Sequence, residues 1–175
     1  METSQILGKD TMLLLDTLKA SAPARIVNVS SAQHASASME FDNLQGEKKY
    51  ANLRSYNQAK LALLLWTYEL ARRLEGTGVT VNALHPGVTA SNFVDGMNGP
   101  AAWAMKVLKP FLLTVEQGAQ TTLYLATSPQ VEGVTGKYFV KSQEKQSSSR
   151  SYDQTSGSRL WEVTEQLVAR SAQHI

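Results

Sequence analysis

Apolar and polar positions along this chain fall into alternating helical and extended stretches. Residues 11–19 (TMLLLDTLK) read as a helix that stops near Ser21-Ala22-Pro23, because the residue before proline is pushed out of helical geometry. Residues 25–30 (RIVNVS) and 79–84 (VTVNAL) are short β-branched runs suited to strands. The stretch from about 32 to 50 is polar and irregular. Ser55 followed by Gln58 predicts a capping box, in which each side chain reaches the other's free backbone N–H. The helix it opens runs through KLALLLWTYELARRL, apolar around much of its circumference, and ends with Arg72 and Arg73 before Gly76 and Gly78. Beyond a loop and helical region rich in apolar residues, Thr114 and Gln117 predict a second box for GAQTTLYLAT. Residues 137–141 (KYFVK) then read as a third strand.

Residues 142–159 (SQEKQSSSRSYDQTSGSR) have the composition of a polar, solvated linker. Leu160, Val163, Leu167 and Val168 then form one stripe at helical spacing, so an amphipathic helix over 160–172 is expected to dock back. Strands separated by helices of this length cannot pair as hairpins. A strand, helix, strand unit closes a parallel sheet through a right-handed crossover. The expectation is an α/β domain with three parallel strands and helices on both faces.

Composition narrows the chemistry. At 175 residues, with 42% apolar and 18% charged side chains, the chain can build one core, and a net charge of +2 selects no acidic partner. There are no cysteines, so disulfides and thiolate metal sites are excluded. His34, His85 and His174 lack the spacing of a metal site, and none is expected. The longest apolar run, 61–66, is far below the roughly 20 residues that span a bilayer. The opening residues METSQILGKD have no export signal, and a cytoplasmic location is expected.

Tyr56 and Lys60 stand four residues apart on one helix face, so an ammonium lies beside a phenol. In a chain with six tyrosines such a pair alone is weak evidence; its surroundings give it weight. Ligands of parallel α/β sheets bind beyond the carboxyl ends of the strands. Ser30-Ser31 and His85-Pro86-Gly87 lie at those ends of the first two strands. A neighbouring cation and the positive helix N-terminus both favour the phenolate of Tyr56, which suits it to acid and base work near neutral pH. A serine hydroxyl opposite can hold a substrate oxygen.

The segments SAPARIVNVSSAQH, FDNLQGEKKY, SYNQAKLALLLWTYELARRL, VTVNALHPGVTASNF and EGVTGKYF, in this order and spacing, resemble the C-terminal half of a short-chain dehydrogenase/reductase. Within that superfamily the chain is similar to the retinol dehydrogenase and WW-domain-oxidoreductase-like branch, which the long interval between Ser31 and Tyr56 suits. The resemblance implies a partial Rossmann-like, doubly wound parallel sheet and a carbonyl or alcohol redox reaction on a small apolar substrate, using NAD or NADP, with no role for nucleic acid. It implies that Tyr56 moves the proton, that Lys60 tunes it and binds the nicotinamide ribose, and that Ser31 orients the substrate oxygen. It further implies that Pro86, Gly87, Val88 and Ser91 line the nicotinamide pocket. Ser30 and His34 are read as strand-end and loop residues, and Asn28 and Asn82 as structural. Met97, Trp103, Met105, Val107, Leu108, Phe111 and Leu112, within residues 94–113, are expected to form either a substrate-side cover or ordinary core.

Several family features lack a counterpart. The glycine-rich turn that lets backbone approach the cofactor pyrophosphate is absent, and so is the Asn-Ala-Gly segment after the family's fourth strand. The stretch 1–11 is an atypical start without the family's catalytic asparagine. The chain is therefore read as a single truncated domain, 1–175, without the N-terminal nucleotide-binding half. On this reading the serine strand is an open apolar edge. The alternative to an enzyme is a catalytically silent fragment that forms a homodimer or associates with a full-length relative.

Overall fold

The runs read as strands share one sheet. In the computed structural model, which describes residues 8–44, 48, 51–87 and 113–172, β1 (Ala24–Val29) pairs in parallel with β2 (Val79–His85), and β2 with β3 (Tyr138–Val140). A fourth strand, β4 (Gln143–Lys145), returns antiparallel to β3 and gives the order β1-β2-β3-β4. The three parallel strands are those expected, and β4 is an addition to them. The chain reverses through Lys141 and Ser142, both at positive φ, and all three residues of β4 are exposed, so no apolar pattern announced it.

Among the described residues four helices flank the sheet: α1 (Lys9–Ala20), α2 (Asn52–Arg73), α3 (Val115–Thr127) and α4 (Gln154–Ala172). Successive strand side chains point to opposite faces. Ala24, Ile26, Val79 and Val81 accordingly meet α1, α2 and α4, while Val27, Leu84 and Phe139 meet Tyr124 and Leu125 of α3. Arg25 points to the α3 face as well, donating to the carbonyls of Leu125 (3.2 Å) and Ser128 (2.8 Å) at the carboxyl end of α3.

The apolar circumference of α2 follows from its central place. Leu64 packs with Ala83 and Tyr138 of the sheet, while Leu65, Trp66 and Leu70 share a cluster with Leu160 and Trp161 of α4. Burying each such side chain contributes about 1.5–3 kcal/mol. Trp66 and Trp161 stack with centroids 5.9 Å apart.

The Thr114 and Gln117 box forms as expected, with Gln117 N–H donating to Thr114 Oγ1 at 3.2 Å and Thr114 N–H donating to Gln117 Oε1 at 2.9 Å. The Ser55 and Gln58 box does not. Helix α2 begins one turn earlier, with Ala51 as N-cap, and the Ser55 N–H already donates to the Ala51 carbonyl at 2.8 Å. Gln58 Oε1 instead accepts from Glu40 N–H at 3.1 Å and so pins the preceding loop.

The polar segment 142–159 is not a linker. It carries β4, a 3-10 turn at Ser149–Tyr152 and the start of α4. Some of its polar residues make tertiary contacts: Tyr68 and Tyr152 stack at 5.0 Å, and Ser147 bonds Tyr68 and Ser151 through its hydroxyl. Gly157 lies at the crossing of α4 over α2, where an added Cβ would stand 3.5 Å from the Leu65 carbonyl oxygen. The last helix therefore starts at Gln154 rather than at 160. Its buried stripe runs through Leu160, Trp161, Thr164 and Val168, with Val163 and Leu167 half-buried beside it.

Candidate active site

β1 leads directly into the two serines. Ser30 N–H donates to the Leu84 carbonyl at 2.7 Å, extending the β1–β2 ladder by one residue, and its buried hydroxyl donates to the Lys60 carbonyl at 3.0 Å. Ser30 thus fastens the strand end to α2, as its position suggested. Ser31, also buried, is extended (φ −150°, ψ 154°) and caps the 3-10 turn Ala32–Ser36, its Oγ accepting from Gln33 N–H at 3.3 Å.

Tyr56 and Lys60 occupy the second and third turns of α2. Tyr56 is 45% exposed, near the solvent-facing start of a helix that is largely buried from Leu61 to Ala71. The Lys60 ammonium lies 5.5 Å from the centroid of the Tyr56 ring and donates to the Val29 carbonyl at 3.0 Å. The structure therefore brings the Tyr56–Lys60 face to the carboxyl end of β1, from which Ser31 departs.

The end of β2 reaches the same edge. His85 Nδ1 is buried and has no hydrogen-bond partner among the described residues. Burial, and then repulsion from His34, hold the His85 imidazole below its ordinary pKa of 6.5. Gly87 adopts φ +88°, and an added Cβ would fall 2.4 Å from Leu113 Cδ1. The positive φ and the adjacent leucine side chain both favour glycine at this position. Val88, Ser91 and the apolar stretch through Met97, Trp103, Met105, Val107, Leu108, Phe111 and Leu112 lie outside the described residues.

Asn28 and Asn82 are structural, as expected. Asn28 Nδ2 donates to Thr67 Oγ1 at 2.8 Å, while Asn82 donates to the Val134 carbonyl at 2.7 Å and accepts from Lys137 N–H at 3.0 Å. Two clefts, of about 420 and 450 Å³, open elsewhere, around Tyr152 and Gly136, and neither is lined by Ser31, Tyr56 or Lys60. Among the described residues no group of three His, Asp or Glu side chains could hold a metal ion, and no helix is long and apolar enough to cross a membrane.

His34 is the residue whose connections the sequence did not disclose. It is buried, with one ring nitrogen 2.6 Å from the Ser31 carbonyl oxygen and the other 3.1 Å from Ser148 N. Its place three residues after Ser31 was the only signal available.

What the geometry offers is a phenol beside an ammonium, a serine at the adjoining strand end and a glycine at the next. The nicotinamide side of a dinucleotide fits such a set, with Lys60 and the backbone of Pro86 and Gly87 available to hold it. Among the described residues no strand is followed by the glycine-rich turn that a pyrophosphate requires.

Residues 15–142 match a family model described as enoyl-(acyl carrier protein) reductase. Retinol dehydrogenase 14 of Homo sapiens is 42% identical over 167 residues, covering 90% of this chain and 48% of that protein. Retinol dehydrogenase 12 of Mus musculus is 42% identical over 158 residues, covering 90% and 50%. Among solved structures, an uncharacterized protein of Mycobacterium paratuberculosis superposes with a TM-score of 0.67 at 26% identity, covering 95% of this chain and 59% of that one. The chain spans about half the length of the curated relatives it matches.

Proposed function

The chain belongs to the short-chain dehydrogenase/reductase superfamily, in its retinol dehydrogenase-like branch, and from that membership we propose that it carries the catalytic side of an NAD- or NADP-dependent oxidoreductase acting on an apolar aldehyde, ketone or alcohol. The observation that supports this most is the Lys60 ammonium, which lies 5.5 Å from the Tyr56 ring while anchored at the end of the serine strand. In carbonyl reduction the Tyr56 phenol gives its proton to the substrate oxygen, and in alcohol oxidation the phenolate takes it back. Ser31 donates its hydroxyl hydrogen to that same oxygen and holds it near Tyr56. Lys60 places positive charge beside the phenol and offers N–H donors to the ribose. Pro86 and Gly87 present backbone to the nicotinamide, which when bound supplies or accepts the hydride. The names of the relatives suggest a retinol-like substrate.

The test joins this chain to the nucleotide-binding half of retinol dehydrogenase 14 and follows nicotinamide absorbance with a retinoid aldehyde. Tyr56→Phe should lower turnover by about 10²-fold or more, the scale of lost proton transfer, while nucleotide affinity stays nearly unchanged. Near wild-type turnover in that variant would overturn the assignment.

A second reading is favoured by the outer side of β1, which pairs with no strand among the described residues. Here the chain is catalytically silent and associates through that edge with a second copy or a full-length relative. Activity of the fused protein, lost in Tyr56→Phe, decides between the two.

A further inference from the structure

We infer that His34 is a positioning residue for Ser31, holding the serine's main chain from behind while its other nitrogen ties the site to the Ser147–Tyr152 segment. The inference rests on the reading of Ser31 as the residue that holds the substrate oxygen. His34 is only 4% exposed, and the edge contact with Tyr138, at 5.3 Å between centroids, fixes the plane of its ring. Its hydrogen bonds admit one tautomer. Ser148 offers a backbone N–H at 3.1 Å, which can only donate, so Nε2 is unprotonated. The proton sits on Nδ1 and is donated to the Ser31 carbonyl at 2.6 Å.

That carbonyl also accepts the His34 backbone N–H at 3.2 Å, so two donors from one residue hold Ser31 extended with its hydroxyl over the Gln33 amide. The far side is secured twice: Arg150 Nη1 donates to the Ala37 carbonyl at 2.8 Å, beside the bond from Ser148 to His34. A polar segment distant in sequence is thereby connected to the strand end where the proposed chemistry occurs.

Two substitutions separate positioning from mere pinning. An asparagine amide nitrogen stands close to where Nδ1 stood, so His34→Asn keeps the donor to Ser31 and loses the acceptor for Ser148. A glutamine reaches toward the Nε2 position, so His34→Gln keeps the acceptor and loses the donor. In the 175-residue chain, amide hydrogen exchange read by NMR should show Gln33 faster in His34→Gln but not in His34→Asn, and Ser148 faster in His34→Asn but not in His34→Gln. Equal acceleration of both amides in both variants would make His34 a simple pin, and an unchanged Gln33 amide in His34→Gln would remove the link to Ser31; either overturns the inference.

The kinetic arm uses the fused protein described above. His34→Gln should lower kcat about tenfold, the scale of one lost neutral hydrogen bond, with KM for the nucleotide unchanged, while His34→Asn stays within about threefold of wild type. Ser31→Ala is run alongside. If Ser31→Ala turns over like wild type, the reading of Ser31 fails and the role of His34 in catalysis falls with it. If Ser31→Ala is impaired and His34→Gln is not, the inference about His34 alone fails.

Discussion

Lys60 Nζ donates to the carbonyl oxygen of Val29 at 3.0 Å. Because Ser30 N–H pairs with Leu84 of β2, alternation along the strand turns the backbone groups of Val29 the other way, toward the open side of the sheet. One ammonium therefore covers the last outward carbonyl of β1 and stands beside the Tyr56 phenol.

Lys60→Ala in the fused protein should lower both turnover and nucleotide affinity by about tenfold or more each, the scale of a charge-assisted hydrogen bond. Tyr56→Phe should affect only turnover. Calorimetric titration with the nucleotide separates the two; undiminished affinity in Lys60→Ala would contradict the proposed ribose contact.

Trp161→Ala should destabilise the chain by about 3–5 kcal/mol, the usual cost of deleting a large core aromatic. Its ring is buried against Trp66 and covered by the Arg73 guanidinium at 4.4 Å, so the deletion leaves a cavity between α2 and α4. The shift of the urea midpoint measures the loss, and a change under about 1 kcal/mol would mean the two helices close over the gap.

Acid should weaken the fold through His85. Its pKa is depressed by burial and by the nearby His34, so the unfolded chain takes up a proton as pH falls through 6.5 while the folded chain still excludes it. Stability from this group is complete above that value and declines below it, toward the folded pKa. Melting temperatures at pH 8 and pH 5.5 should differ less in His85→Asn than in wild type, and an equal difference would refute the assignment.

The purified 175-residue chain should not bind NAD(H) or NADP(H) at micromolar concentration. Gly76, Gly78, Gly133 and Gly136 precede strands β2 and β3 rather than follow a strand into a helix, so none can bring backbone N–H groups around a pyrophosphate. A heat signal at micromolar nucleotide would disprove this.

Association should accompany that lack of affinity. Arg25 and Val27 turn their backbone donors and acceptors to the side of β1 that pairs with no strand among the described residues, and Leu13, Leu14 and Leu123 are exposed on the helices that flank the sheet. Light scattering should show a mass that rises with concentration, together with binding of an apolar dye. A concentration-independent monomer with a sharp melt and no dye binding would contradict it.

Strands β1 to β3 and helices α1, α2 and α3 were legible because their apolar residues recur at the period of the element that carries them, as in VTVNAL against two helical layers. The meeting of the candidate residues was legible for the same reason: Tyr56 and Lys60 sit at helical spacing, and Ser31 follows a strand whose direction the crossover dictates. What escaped was held by polar groups. Gln143, Glu144 and Lys145 form a strand with no buried face, and Gly157 marks a close helix crossing that composition made look like a linker. Ser55 and Gln58 showed the right pattern one turn inside a helix. His34 meets Ser148 across 114 positions, a distance over which local pattern carries no information.

The two sides of the sheet differ in one further respect. Among the described residues β4 is the other edge strand, three exposed residues long with Glu144 and Lys145 on it, and so short and charged an edge resists pairing. β1 does not. A particle with one joinable side has a valence of one: two copies meeting edge to edge satisfy each other and leave nothing for a third, whereas a fibre needs two complementary ends. Growth by strand pairing should therefore saturate at twice the monomer mass.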